Sequence, residues 1–207
     1  MSLPDVLARI SQIEALTAPP PAPPVAATTT TAPSGGGFAR ALMAATAAMP
    51  AETPGGGSGQ ALLAAAESQI GQSEQPPGSN DGPAIAVYRD AVAGAQAGEP
   101  WCAYFASWAA AQAGTPLGDA GQGLGSVAEI TDWASSNGRL LPAEATPAPG
   151  DLILFGTHHV GIVESANPDG TITTVEGNSS NAVSRVTRQP GEWTGFVSMS
   201  QVPPTAS

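Results

Sequence analysis

The sequence has no lysine, a single cysteine, two histidines and few aromatic side chains. Its six basic residues are all arginine and face 17 acids, for a formal net charge of −11. From Ala61 onward there are 14 acids and 4 arginines, a balance of −10. A chain so poor in positive charge is repelled by a phosphate backbone, so no nucleic-acid partner is expected. It is equally unsuited to electrostatic docking on anionic lipid. One cysteine allows neither an intrachain disulfide nor a thiolate metal cluster. The two histidines are neighbours, His158 and His159, which does not suit a structural zinc site. No apolar run reaches the roughly 18–20 residues of a membrane helix, so no membrane insertion is expected. Met1-Ser2-Leu3-Pro4-Asp5 is not a basic stretch leading into an apolar one, so it does not read as a signal peptide. Asn80 and Asp81 could offer oxygens to calcium, but a lone acidic loop without spaced acids reads as turn chemistry. No cofactor or metal is expected.

What the chain has in excess is glycine and proline, 25 and 21 residues, unevenly spread. Residues 1–59 read as a leader rich in Pro, Thr and Gly, with short helices near 3–16 and 38–49. Leu3, Val6, Leu7, Ile10, Ile13 and Leu16 recur at helical spacing. A helix this short is marginal alone, and its apolar face suits a protein partner. Residues 60–200 form the expected domain, with 201–207 a tail. Helices are expected over 61–70, 83–93, 103–113 and 126–135. The period then changes. Short strands are expected over 151–155, 159–164, 171–176, 182–188 and 194–199, with Asn167-Pro168-Asp169-Gly170 as a hairpin turn. Helices followed by an antiparallel meander define an α+β fold.

The chemistry centres on Pro100-Trp101-Cys102-Ala103-Tyr104-Phe105. Cys102 opens an apolar helical run, with Pro100 suited to its first turn. First-turn N–H groups and the positive end of the helix dipole favour a thiolate and can hold an oxyanion. By itself a lone cysteine is as readily a small core residue. A nucleophilic thiol needs a base, and the base needs a group to hold its tautomer. His159 begins a strand, and Gly161 shares its face by alternation. That glycine would leave a gap for a helix packed on the sheet. Pairing through the 167–170 hairpin brings the end of the next strand beside His159, so Glu176 or Asn178 can meet its far nitrogen. Trp101, Tyr104, Trp108, Trp133 and Trp193 read as core and cleft wall.

Four motifs carry a resemblance: Glu99-Pro100-Trp101-Cys102, Pro149-Gly150-Asp151-Leu152, His159-Val160-Gly161-Ile162-Val163 and Glu176-Gly177-Asn178. In this order, across about residues 61–200, they resemble the CHAP family, the cysteine, histidine-dependent amidohydrolases/peptidases. The resemblance implies a papain-like α+β fold and cleavage of amide bonds in peptidoglycan. It implies Cys102 as nucleophile and His159 as general base, with Glu176 and Asn178 sharing the orienting role. His158 is the competing base; His159 is preferred because it directly precedes the Val-Gly-Ile-Val strand, as the family's histidine does. Many members have Gln before the cysteine. Trp101 stands there instead and puts the side-chain part of the oxyanion hole in question.

The resemblance points to an N-acetylmuramoyl-L-alanine amidase or a cross-bridge endopeptidase. The alternatives are an NlpC-like peptidase, a phage lysin or tail-tip enzyme, and an inactive cell-wall or flagellum-associated module on the same fold. Such a substrate implies a secreted, cell-wall or periplasmic location, reached by a route that no signal peptide reveals. The leader resembles those of peptidoglycan hydrolases of flagellar assembly.

Overall fold

The computed structural model describes residues 57–200. The helices expected at 3–16 and 38–49, the rest of residues 1–56 and the tail 201–207 lie outside the described residues. The architecture is α+β. Among the described residues four helices come first: α1 (Gly57–Glu67), α2 (Pro83–Asp90), α3 (Cys102–Gln112) and α4 (Val127–Ser136). Six strands follow: β1 (Leu140–Pro142), β2 (Leu152–Phe155), β3 (His159–Ala166), β4 (Ile172–Ser179), β5 (Ala182–Arg188) and β6 (Gly195–Val197).

Helix α1 starts three residues before the boundary expected at residue 60. Its buried residues, Gly59, Leu62, Leu63 and Ala66, form one helical stripe. Gly57 and Gly59 look like linker in the sequence, yet Gly59 serves close packing. A Cβ on it would lie 2.8 Å from the carbonyl oxygen of Pro149. The hydroxyl of Ser58 donates to the carbonyl of Met199 at 3.0 Å. The first turn is thereby fixed to the approach to β2 and the chain after β6.

Helix α3 is apolar on almost every side, which makes it the buried centre of the helical layer. Tyr88 of α2 packs on Trp101, Phe105 and Trp108, with ring centroids 5.1–5.7 Å apart. Ser107 sits in mid-helix without an unmet group. Its hydroxyl donates to Leu124 O at 2.8 Å and accepts from Leu124 N–H at 2.9 Å. Gly114, at φ +73°, ends the helix. The N–H of Thr115 returns to Ala110 O and that of Gly114 to Ala111 O, both at 3.0 Å, a Schellman closure.

The sheet order is β1-β6-β2-β3-β4-β5, antiparallel throughout. Strands β2 to β5 form the expected meander. The last strand does not extend it. β6 returns to pair with β2, Leu152 opposite Val197, and β1, which the sequence reading did not anticipate, pairs outside β6. All four residues of β2 are buried, because both faces of the sheet are covered. Leu152, Leu154, Val160, Ile162 and Val175 join the helices in one core. Ile153, Phe155, Val163, Ile172 and Phe196 form a second cluster on the other face.

Where α3 crosses the sheet, the decisive residue is Gly177. A Cβ there would lie 2.5 Å from the Cβ of Phe105. Gly177→Ala is therefore expected to cost about 1–3 kcal/mol of stability. Urea denaturation reads this as a lower midpoint at unchanged slope; a wild-type midpoint would refute the close approach.

Candidate active site

Cys102 is the first residue of α3, with Trp101 as its N-cap and Pro100 before that, outside the helix. The first helical bond runs from Phe105 N–H to Trp101 O at 2.9 Å. The N–H groups of Cys102, Ala103 and Tyr104 precede it and have no acceptor within the helix. Cys102 is 5 % exposed, but it is not sealed. It lines two cavities that also share Pro100 and His158. One, of about 540 Å³, continues past Phe155, His159, Asn178 and Arg188. The other, of about 410 Å³, continues past Tyr104, Ser126 and Val127.

His159 opens β3 and faces this cleft. Its Nε2 meets Oε2 of Glu176 at 2.8 Å, and a looser contact joins the ring to Cys102. Glu176 is completely buried. Four donors surround its two oxygens. Oε1 accepts from the Thr174 hydroxyl at 2.6 Å and from Arg188 Nε at 2.8 Å. Oε2 accepts from His159 Nε2 and from Arg188 Nη2. Burial by itself would raise the Glu176 pKa, but the bonds from His159, Arg188 and Thr174 outweigh it and hold the group down at about 2. Burial by itself would lower that of His159. Its contacts with Cys102 and Glu176, with the charges on both, instead raise it to about 9.

The role expected of Gly161 needs correction. It does lie on the face of His159, but that is not the face on which α3 packs. Ile153, its partner on β2, belongs to the cluster away from the helices. The gap at Gly161 admits Glu176, whose Cγ would be 2.8 Å from a Cβ placed there. The gap that admits the helix is at Gly177.

Asn178 is a second correction. It lines the cleft but makes no hydrogen bond to His159. Past Glu176 the β4–β5 register shifts, and Asn178 turns at φ +58°. A bulge re-aims the side chain that strict alternation would have placed. His158 is exposed at the cleft rim, and the imidazole that meets the carboxylate is that of His159.

Trp101 is fully buried, and its indole N–H donates to Glu74 Oε1 at 2.9 Å. It therefore presents no donor to the cleft. Trp133 and Trp193 pack partly buried against the two cores. Oδ1 of Asp81 accepts from the Gly82 N–H and from Arg89, each at 2.9 Å.

Sequence reasoning missed Thr174 and Arg188. Period two would have put Thr174 on the face of Glu176. Arg188 became a neighbour only through the β4–β5 pairing, which sets it opposite Ile172.

A buried thiol at a helix N-terminus, an imidazole and a buried carboxylate thus come together at one cleft, in chain order. Residues 94–178 match the family model of the CHAP domain, a segment that spans Cys102, His159, Glu176 and Asn178. No curated protein matches the chain. Among solved structures it is similar to the peptidoglycan hydrolase RipB from Mycobacterium tuberculosis, at 20 % identity over 80 % of this chain and 78 % of that one, with a TM-score of 0.46.

Two outcomes follow from this geometry. Protonated His159 stabilises the fold fully below about pH 6.5, its ordinary value, and that contribution is lost as pH rises through about 9. Ionised Glu176 stabilises it above about 4.5, and that is lost as pH falls through about 2. Calorimetry should show the melting temperature falling between pH 6.5 and 9 in the wild type. In His159→Gln that part of the fall should vanish. Gly161→Ala should push Glu176 off the ring, and NMR should then find His159 titrating closer to its ordinary value; an unmoved titration would count against the role given to this glycine.

Proposed function

We propose that the protein is a cysteine hydrolase of peptidoglycan amide bonds, acting through Cys102, His159 and Glu176. The observation that carries the reading is one chain of contacts: a helix-terminal thiol in an open cleft, an imidazole beside it, and a buried carboxylate on that imidazole's far nitrogen. The CHAP-domain match supports the hydrolytic class. The catalytic unit proposed is 57–200, beginning at α1 rather than at residue 60. The location proposed is the cell wall or periplasm. Among the described residues no helix is long and apolar enough to cross a membrane.

In this mechanism the Cys102 thiolate adds to the amide carbonyl. Unpaired N–H groups at the start of α3 receive the oxyanion. Imidazolium His159 gives its proton to the departing amine as the C–N bond breaks, leaving a thioester on Cys102. Neutral His159 then takes a proton from water, whose hydroxide oxygen attacks the thioester. The acid product leaves and the thiolate–imidazolium pair returns. Glu176 holds the ring and balances its charge throughout. Asn178, Ser179 and Ser180 line the wall of the larger cavity. Asn178 and Ser180 both have positive φ, a backbone conformation that costs energy outside glycine and suits a wall held in one shape.

Purified wild type should release new muropeptides from cell-wall material, and mass spectrometry of the products identifies the bond. Cys102→Ala should abolish release, and Glu176→Gln should lower it roughly 10²–10⁴-fold. Equal products from wild type and Cys102→Ala would overturn the reading.

A further inference from the structure

Arg188 ends β5, beyond the segment that matches the CHAP model. It grips Glu176 with two donors, Nε on Oε1 and Nη2 on Oε2. Its guanidinium lies over the Phe155 ring, Cζ 4.5 Å from the centroid. Phe155 is the β2 partner of His159, and the two rings are 5.5 Å apart. The fork is thus held in place by a ring, and it lines the same cavity as the thiol.

One oxygen, Oε2 of Glu176, receives both Arg188 and His159. Two cations share one carboxylate, so each weakens the hold of that carboxylate on the other. The charged or titratable groups around the ring are Cys102 from α3, Glu176 from β4, Arg188 from β5 and His158 from the preceding turn. Glu192 follows β5 and stands 3.9 Å from Arg188 Nη1. Without Arg188 the carboxylate would still be held by Thr174 and by the space at Gly161. Its full charge would then act on the imidazole alone.

We propose that Arg188 is a positioning residue of the acyl-transfer site, fixing the plane of the Glu176 carboxylate and limiting how strongly it retains the imidazolium proton. The proposal rests on the hydrolase reading for its catalytic consequence. An imidazole that holds its proton too firmly is a poor donor to the leaving amine and is too seldom neutral to take a proton from water. Two cations on a fully buried carboxylate keep the charge compensated while leaving that proton transferable.

The test compares wild type, Arg188→Lys and Arg188→Gln by NMR titration of the His159 ring and by pH profiles of kcat on muropeptides. Lysine keeps the charge and loses the fork. It should leave the His159 midpoint at its wild-type value and lower kcat roughly tenfold or more, with KM unchanged. Glutamine loses both charge and fork. It should move the midpoint up by about one pH unit, and the acid limb of kcat with it. A folded Arg188→Gln whose His159 midpoint is unmoved or lower would overturn the proposal. So would a wild-type kcat in Arg188→Lys, which decides the matter even where the glutamine variant does not fold. An inert wild type whose His159 midpoint still rises in Arg188→Gln would refute the hydrolase reading and still support the coupling.

Discussion

A carboxylate cut off from water cannot remain charged unless protein groups replace its hydration, and Glu176 sits under that constraint. Thr174, Arg188 and His159 supply the replacement, two donors to each oxygen. Because those donors come from β3, β4 and β5, the charge stays stable only while the three strands keep their register. The cleft and the sheet are therefore mutually dependent. The same bonds that make burial of Glu176 tolerable also hold the imidazole against the cleft.

Two glycines make this packing geometrically feasible, from opposite sides of the sheet. Gly161 leaves room for Glu176 beside the imidazole, and Gly177 leaves room for Phe105 of α3. They sit on adjacent strands and point to opposite faces, so each removes a different obstacle. The helix can then come low enough for its first residue, Cys102, to share a cleft with His159. Buried Trp101 anchors the approach to that residue by its bond to Glu74. In the proposed mechanism the oxyanion accordingly falls to backbone N–H groups rather than to the side chain before the cysteine.

Much of this was legible in the residues. The change of period after residue 138 separated helices from strands, and the hairpin at 167–170 placed Glu176 near His159. The order of Cys102, His159 and Glu176 carried the family resemblance. Less legible were features that depend on which face of the sheet meets which layer. Gly161 was read as making room for a helix, since alternation says which residues share a face but not what covers it. Asn178 was read as a partner of His159, since alternation assumes an unbroken ladder and the ladder shifts register there. Arg188 carried no local signal, because an arginine at a strand end reads as solvated until its cross-strand neighbours are known.

Local chemistry, then, was written in the chain itself. A helix must begin near Cys102 and the strands must alternate, because each follows from residues close in sequence. Long-range pairing settled the rest. It brought Arg188 beside Glu176, shifted the ladder at Asn178, and led β6 back across to β2. Those outcomes depend on a ladder register and on the layer covering each face, and both are set by burial over the whole domain rather than by any single stretch.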